Sequence, residues 1–183
     1  MAKLADDLYI GSDTMEGLFN NWQRVLEILH KNNIGLAAKK TVIAPKSTNV
    51  LGWIWDQGQI LASAHRISPL ASCEPPRTVG SLRSFIGAYK FLSRVLPACA
   101  TVLAPLDEAT AGRTSQEEIS WSTALTQAFF FAQKHLSHHR AITLPRSEDR
   151  LWIVADGSAK YPGMGATMYV TRESEKPRLA GFF

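Results

Sequence analysis

The chain has 183 residues, of which 45% are hydrophobic and 20% charged, and its formal net charge is +4. This composition is typical of a globular protein and excludes a disordered or fibrous chain, while the length allows one large or two small domains. The basic balance modestly favours polyanionic partners such as nucleic acid.

The compartment follows from what the sequence lacks. It contains no apolar run long enough to span a bilayer and no signal peptide, so no membrane partner is expected. Cys73 and Cys99 have no metal-ligand spacing, so we expect a reduced, intracellular protein in the cytoplasm or nucleus. Because the sequence starts and stops in strand-like runs, we interpret it as a fragment of a longer protein.

The first motif is a pair of adjacent carboxylates, Asp6 and Asp7, in the strand-forming run at residues 4–10. Adjacent aspartates repel each other, and a divalent cation would relieve that repulsion. Taken alone, the pair is more typical of an ordinary acidic surface turn. Asp13 or Thr14 is then expected to cap an amphipathic helix that ends near Asn32.

A hairpin is predicted next, with strands at residues 50–55 and 59–62 around the turn Asp56-Gln57-Gly58. Gly52 falls inside the first predicted strand. It indicates either a bulge or close approach of another backbone, whereas a plain Trp-rich buried strand is the simpler alternative.

Residues 68–112 have helical periodicity. Pro69 is predicted to start a short helix, and Thr78 to cap a long one that reaches Leu96. Arg83, Lys90 and Arg94 recur at spacings of seven and four, which places them in one stripe on that helix. A basic stripe suits phosphate contacts, but a solvated helix face has the same pattern, and both interpretations stay open here.

The last part of the chain changes from helix to strand. Ser122 is predicted to cap a helix ending near His135, His138 and His139, whose spacing suits zinc but is better explained by a polar helix C-terminus. A meander with strands at 151–156, 165–170 and 178–183 follows. Its first strand ends on Asp156.

Four features thus stand in one order: the Ala-Asp-Asp hairpin, the Leu-Gly-Trp hairpin, the run at residues 78–87, and the strand ending in Asp156-Gly157-Ser158. In this order they resemble the reverse transcriptase and ribonuclease H region of gypsy or BEL/Pao long-terminal-repeat retrotransposons. The resemblance implies an α+β fold with four parts. These are a partial palm at 1–66, thumb-like helices at 67–112, a tether helix at 113–147 and a truncated ribonuclease H-like meander at 148–183.

The resemblance also implies roles for individual residues. Asp6 and Asp7 match the acidic residues of the family's Tyr-x-Asp-Asp motif, and Asp156 matches the first ribonuclease H carboxylate, so all three are predicted catalytic Mg²⁺ ligands in two-metal sites. The implied partner is an RNA/DNA template–primer duplex. The residues predicted to contact it are Leu51, Gly52 and Trp53 of a primer grip, and Arg83, Lys90 and Arg94 of the thumb.

Departures from the family pattern limit the prediction. Leu4 stands where the family has tyrosine. The third palm carboxylate and the fingers are expected upstream of Met1. Of the ribonuclease H carboxylates only Asp156 is matched, since Glu173 and Glu175 fall in a turn.

The favoured hypothesis is a reverse-transcriptase fragment that is catalytically incomplete alone. A second is a working polyprotein segment whose missing parts are supplied in cis or in trans, with deoxynucleotide triphosphates bound only by the full-length parent. A third is a non-enzymatic nucleic-acid-binding module derived from a retroelement. A fourth is a non-functional translation product with exposed strand edges.

Overall fold

The computed structural model describes residues 2–4, 6–158, 163–172 and 175–183. The chain forms two compact units, Met1–Pro45 and Lys46–Phe183. Helices and antiparallel strand pairs make up both units. The predicted α+β fold is confirmed. No helix among the described residues has the length and apolarity that crossing a membrane requires.

The first unit contains a two-stranded hairpin and one long helix. Strand β1 (Ala2–Leu4) pairs with β2 (Asp7–Tyr9), and helix α1 spans Met15–Lys31. The helix begins where predicted, and Thr14 is the capping residue because its side chain accepts a hydrogen bond from the Gly17 backbone N–H. No residue of α1 is fully buried.

A four-stranded antiparallel sheet opens the second unit. It consists of β3 (Ser47–Val50), β4 (Trp53–Asp56), β5 (Gln59–Ala62) and the short β6 (Ile142–Thr143), in that order. The predicted strand at 50–55 is wrong, because Leu51 and Gly52 form a tight turn between β3 and β4 with φ values of 55° and 81°. Positive φ at both central residues defines the type I′ turn, whose twist matches that of the two strands.

Four helices follow the first three strands. They are α2 (Ala64–Ser72), α3 (Val79–Lys90), α4 (Cys99–Thr110) and α5 (Thr123–His135). Thr78 and Ser122 cap α3 and α5 as predicted. Pro69 does not start a helix but lies inside α2.

Helix α3 is shorter than predicted. It ends at Lys90, and the chain continues to Leu96 in turns whose backbone hydrogen bonds span three residues, such as that from the Leu92 N–H to the Tyr89 carbonyl. Such bonds tighten the backbone and rotate later residues away from the α-helical register. Arg94 therefore does not lie on the helix that carries Arg83 and Lys90.

The hydrophobic core of the second unit lies between these helices and strands β5 and β6. Phe129 of α5 is fully buried, and its ring centroid lies 4.8 Å from that of Phe85 on α3 and 5.5 Å from that of Trp121. The Trp121 indole N–H also donates to the Pro76 carbonyl at 2.9 Å. The segments before α3 and before α5 are thus fixed to one aromatic cluster.

The predicted C-terminal meander is confirmed. It comprises β7 (Arg150–Ser158), β8 (Gly163–Thr171) and β9 (Arg178–Phe182), and β7 is an edge strand of this sheet. Trp152, Ile153 and Val154 of β7 remain 50%, 69% and 60% exposed. Leu179 of β9 packs against the core of the unit, and β9 contacts β6, so β9 rather than β7 joins the meander to the core.

Candidate functional site

The acidic pair lies at the tip of the first hairpin. Leu4 of β1 pairs with Asp7 of β2, and Asp6 lies in the turn between the two strands. Both Asp6 and Asp7 are exposed. The short strands position the two carboxylates next to each other at a tight turn, where solvent reaches them.

These two carboxylates do not by themselves fit a complete magnesium site. Mg²⁺ binds about six oxygen ligands in near-octahedral geometry, and a two-metal site needs several carboxylates around both ions. Among the residues that the structure describes, no group of three or more His, Cys, Asp or Glu side chains could hold a metal ion. Within the described residues the predicted two-metal chemistry therefore has no complete ligand set.

Asp156, the third predicted catalytic residue, lies near the end of β7. It pairs with Gly165 of β8, and its Oδ1 accepts a hydrogen bond from the Gly157 backbone N–H at 2.9 Å. The side chain is exposed. Strand β7 continues two residues beyond the predicted end at Asp156, and within the described residues no metal-ligand cluster surrounds this carboxylate.

The turn between β3 and β4 contains the residues predicted as a primer grip. The Gly52 N–H donates to Asn49 Oδ1 at 3.2 Å, and the Gly52 carbonyl accepts from the Ser63 N–H at 3.2 Å. Leu51 is 51% exposed at the tip of the turn. The backbone of the turn is therefore held from two sides, while the Leu51 side chain points to solvent.

Three side chains pack in a row beside this turn. The ring of Trp53 on β4 stacks against Phe91 at the end of α3, with centroids 4.9 Å apart and an interplanar angle of 28°. The guanidinium of Arg66 on α2 lies 4.8 Å from the centroid of the Phe91 ring. We call this set the Trp53–Phe91–Arg66 stack. It was missed from the sequence, because its members lie on three elements and no local motif relates them.

Arg83 is already engaged within the protein. Its Nη2 donates to the carbonyls of Thr110 and Arg113, both at 2.7 Å, where α4 ends. The Thr110 carbonyl belongs to the last turn of α4 and carries the negative end of the helix dipole, which a cation stabilises. Arg83 thus satisfies the C-terminus of α4, an alternative to phosphate contact that the sequence does not reveal.

The loop that follows α4 is organised around Glu117. Hydrogen bonds from the Thr114 backbone N–H, and then from the Arg113 side chain, lower the pKa of Glu117 to about 2. Arg113 in turn donates to the Glu118 carbonyl at 2.8 Å. The loop is also joined to the N-terminus of α3, because the Val79 backbone N–H donates to the Glu117 carbonyl at 2.9 Å. This network fixes the loop to which Arg83 is bonded.

Lys90, like Arg83, is bonded within the protein, whereas the Arg94 side chain makes no such bond with the described residues. Lys90 forms an ion pair with Asp107 of α4, with Nζ 2.9 Å from Oδ2, and both side chains are about half exposed. Arg94 is exposed and makes no side-chain hydrogen bond or ion pair with the described part of the chain. Of the three residues predicted to contact phosphate, Arg94 therefore has the charged side chain that is most available to a ligand.

The three histidines at the C-terminal end of α5 and just beyond it bond to neighbouring polar groups. His135 Nδ1 lies 2.9 Å from the hydroxyl of Tyr89, while His138 and His139 place Nδ1 at 3.2 and 2.8 Å from the carbonyls of His135 and Leu136. Burial, and then the charge of His138, lower the pKa of His135. These contacts agree with the helix C-terminus interpretation and do not form a zinc site within the described residues.

Comparison of the sequence with known proteins finds retroviral polyproteins. No family model matches the sequence. The Gag-Pol polyprotein of baboon endogenous virus is 28% identical over 145 residues, covering 79% of this chain and 8% of the relative. The Pro-Pol polyprotein of simian foamy virus type 1 is 24% identical over 173 residues, covering 94% of this chain and 15% of the relative. A Pol polyprotein from the transposon opus of Drosophila melanogaster is 25% identical over 107 residues, which is 58% of this chain and 11% of the relative.

Comparison of the structures gives the same result. Foamy viral protease-reverse transcriptase in complex with double-stranded DNA matches with a TM-score of 0.75 at 16% identity, covering 94% of this chain and 35% of that chain. The same enzyme in complex with an RNA/DNA hybrid matches with a TM-score of 0.70 at 17% identity, covering 94% and 23%. The chain is therefore related to a short segment of retroviral Pol polyproteins, and its α+β fold is similar to the one found in foamy viral protease-reverse transcriptase.

Proposed function

We propose that this chain is the segment of a retroelement reverse transcriptase that holds the template–primer duplex, and that it is catalytically incomplete alone. The observation that carries the proposal is the match to a foamy viral Pro-Pol polyprotein over 173 residues, which is 94% of the chain. A match of that extent covers the hairpins, the helices and the meander together. Similarity confined to a single motif would cover only a small part of the chain.

The duplex is the proposed ligand for two reasons. The structural neighbours are complexes with double-stranded DNA and with an RNA/DNA hybrid. The chain itself has a net charge of +4, which favours a polyanion. We assign the contacts to Leu51, Gly52 and Trp53 at the turn and to Arg94, and we place Arg83 and Lys90 in supporting roles because both are bonded within the protein.

Catalytic incompleteness is proposed from the acidic residues. Asp6 and Asp7 are two exposed carboxylates, and Asp156 is a third on another sheet, with no cluster of three potential ligands among the described residues. If the polyprotein supplies the remaining ligands, Asp6 and Asp7 would hold Mg²⁺, whose role is to activate the primer hydroxyl and stabilise the leaving pyrophosphate. The similarity to retroviral polyproteins supports a retroelement origin and does not assign it to the gypsy or BEL/Pao type.

The test measures binding and synthesis separately. Fluorescence anisotropy with a labelled DNA primer on an RNA template should show binding that weakens steeply between roughly 50 and 200 mM NaCl. Primer extension with Mg²⁺ and deoxynucleotide triphosphates should be absent. Extension that Asp6→Ala abolishes would refute catalytic incompleteness, and absence of duplex binding would refute the proposed ligand.

A non-enzymatic nucleic-acid-binding module is the second candidate. It is favoured by the position of the packed core, which supports the turn at residues 51–52 and the helices rather than the carboxylates. In that case Asp6→Ala and Asp156→Ala should leave duplex affinity unchanged. The first candidate predicts the same for the isolated chain but differs in the polyprotein, where Asp6→Ala should stop DNA synthesis.

A further inference from the structure

We infer that Arg66 is a positioning residue that holds the turn at Leu51 and Gly52 against helix α2 and the end of α3. The inference rests on the proposed function, in which this turn contacts the template–primer duplex. It adds a residue that the resemblance did not single out. Arg66 acts through the turn and does not itself contact the duplex.

The contacts of Arg66 join three elements. Its Nη2 donates to the Leu51 carbonyl at 3.3 Å, and its guanidinium lies 4.8 Å from the centroid of the Phe91 ring. Phe91 in turn stacks on Trp53, the first residue after the turn. A guanidinium over an aromatic ring gains electrostatic energy from the ring face. One side chain therefore connects the tip of the hairpin, the base of strand β4 and the C-terminus of helix α3.

Gly52 shows how closely Arg66 crosses the turn. A Cβ atom added at Gly52 would overlap Arg66 Nε and would lie 2.9 Å from Arg66 Cγ and 3.0 Å from Cδ. Because Cγ is close to the backbone of α2, rotation of the guanidinium alone would not relieve the overlap. The requirement for glycine at this position thus has two causes, namely the positive φ of 81° and the presence of Arg66.

The geometry distinguishes positioning from direct phosphate contact. Arg66 directs a donor to the Leu51 carbonyl and its planar face to Phe91, so its hydrogen-bonding capacity is partly used inside the protein. Loss of a residue that contacts phosphate reduces the slope of log affinity against log salt by about one. Loss of a positioning residue weakens binding without that change in slope.

The experiment compares Arg66→Ala and Arg66→Lys with His65→Ala, an exposed neighbour on α2 that serves as the control. Hydrogen exchange is followed by mass spectrometry in peptides covering residues 47–56, with residues 123–135 of α5 as the internal reference. For Arg66→Ala we expect exchange in 47–56 to rise about tenfold, which corresponds to loss of the cation–π contact and one charged hydrogen bond. The reference peptide and the control variant should not change.

Duplex binding provides the functional readout. Arg66→Ala should raise the Kd for the RNA/DNA template–primer roughly three- to tenfold with an unchanged salt slope, since no phosphate contact is lost. Arg66→Lys keeps the charge but loses the planar fork, so we expect it to restore the hairpin only in part. A different pattern would overturn the inference: Arg66→Ala lowers the slope by about one, Arg66→Lys restores the slope, and exchange in residues 47–56 is unchanged. That pattern would show that Arg66 contacts phosphate directly.

A double-mutant cycle covers the case in which Arg66→Ala unfolds the protein, which faster exchange in 123–135 would reveal. Phe91→Leu, which removes the ring beside the Arg66 guanidinium, is then combined with Arg66→Lys, and the increase in exchange is compared with that in the parent chain. A smaller effect of Phe91→Leu in the Arg66→Lys variant supports the coupling, whereas additive effects overturn it. If the parent chain does not bind duplex at all, the proposed function fails, while the exchange data still decide whether Arg66 holds the turn.

Discussion

Arg83→Ala is the variant that most directly separates a structural role from nucleic-acid binding. The substitution removes two hydrogen bonds of 2.7 Å from a guanidinium to the carbonyls of Thr110 and Arg113. Hydrogen bonds to charged groups contribute about 1.5–3 kcal/mol each when water is excluded. Because the Arg83 residue is exposed and water can replace part of the interaction, we expect the free energy of unfolding to fall by about 1–2 kcal/mol in total. For a chain of this size that is a decrease in Tm of roughly 2–8 °C.

Arg94→Ala is the matched control. It removes the same charge from an exposed residue that makes no side-chain hydrogen bond within the described part of the chain. The free energy of unfolding should therefore change by less than about 0.5 kcal/mol. Its effect should appear in duplex binding, where the salt slope falls by about one.

Urea unfolding followed by circular dichroism measures the first quantity, and anisotropy titrations at several salt concentrations measure the second. The expected pattern is reciprocal: Arg83→Ala lowers stability and keeps the slope, while Arg94→Ala keeps stability and lowers the slope. An Arg83→Ala variant of unchanged stability whose slope falls by about one would refute the reasoning. That result would mean that the Arg83 guanidinium of the parent chain leaves the carbonyls of Thr110 and Arg113 to bind phosphate.

Three further predictions concern stability and reactivity. Burial raises the pKa of Tyr89, whose hydroxyl donates to the Ala132 carbonyl at 3.1 Å, so Tyr89→Phe should cost about 1–2 kcal/mol in urea unfolding. Burial also raises the pKa of the Cys99 thiol to about 11, so Ellman's reagent should titrate Cys73 in the folded chain and Cys99 only after unfolding. A hydrogen bond from Arg172 lowers the pKa of Asp149 below its ordinary value of 3.8. The pair therefore stabilises the folded chain above about pH 4, and this stabilisation is lost as the pH falls through the lowered pKa. Asp149→Asn should flatten that acid limb in thermal melts taken across pH, and a limb as steep as in the parent chain would contradict the assignment.

Local signals predicted the elements whose ends are determined by neighbouring residues. Thr78 and Ser122 cap helices as the sequence indicates, because a hydroxyl accepts a hydrogen bond from a backbone N–H only three residues away. The turn at Gln57 and Gly58 was likewise predicted, since glycine follows a polar residue between two apolar strands. In each case the stabilising interaction lies within a few residues of the signal.

The turn at Leu51 and Gly52 could not be predicted in the same way. Leucine disfavours positive φ, and the flanking apolar residues give residues 50–55 the pattern of one continuous strand. The turn forms because contacts from α2 hold it, including the hydrogen bond from the Ser63 N–H to the Gly52 carbonyl. These contacts depend on tertiary structure, which overrides the local preference of the chain.

The basic stripe shows the same limit for function. Spacing placed Arg83, Lys90 and Arg94 together, but Arg83 bonds to carbonyls 27 and 30 residues away and Lys90 to a carboxylate 17 residues away. A sequence pattern shows which face a residue occupies and not which distant group it meets there. The choice between phosphate contact and internal bonding therefore required the packed structure.

The distribution of buried residues differs between the proposed duplex contacts and the predicted catalytic carboxylates. The core cluster runs from Ile60 to Ile142 and surrounds the elements next to the turn at Leu51 and Gly52. By contrast, helix α1, which follows the hairpin of Asp6 and Asp7, has no buried residue. Strand β7, which contains Asp156, is exposed from Arg150 to Gly157. Catalysis requires reacting groups to be held within about 0.5 Å, which only packed neighbours can provide, whereas contacts to a duplex backbone tolerate more variation. The second unit thus contains the rigid support that the proposed duplex binding needs, and catalysis at Asp6, Asp7 or Asp156 would require additional packing around the hairpin and the edge strand.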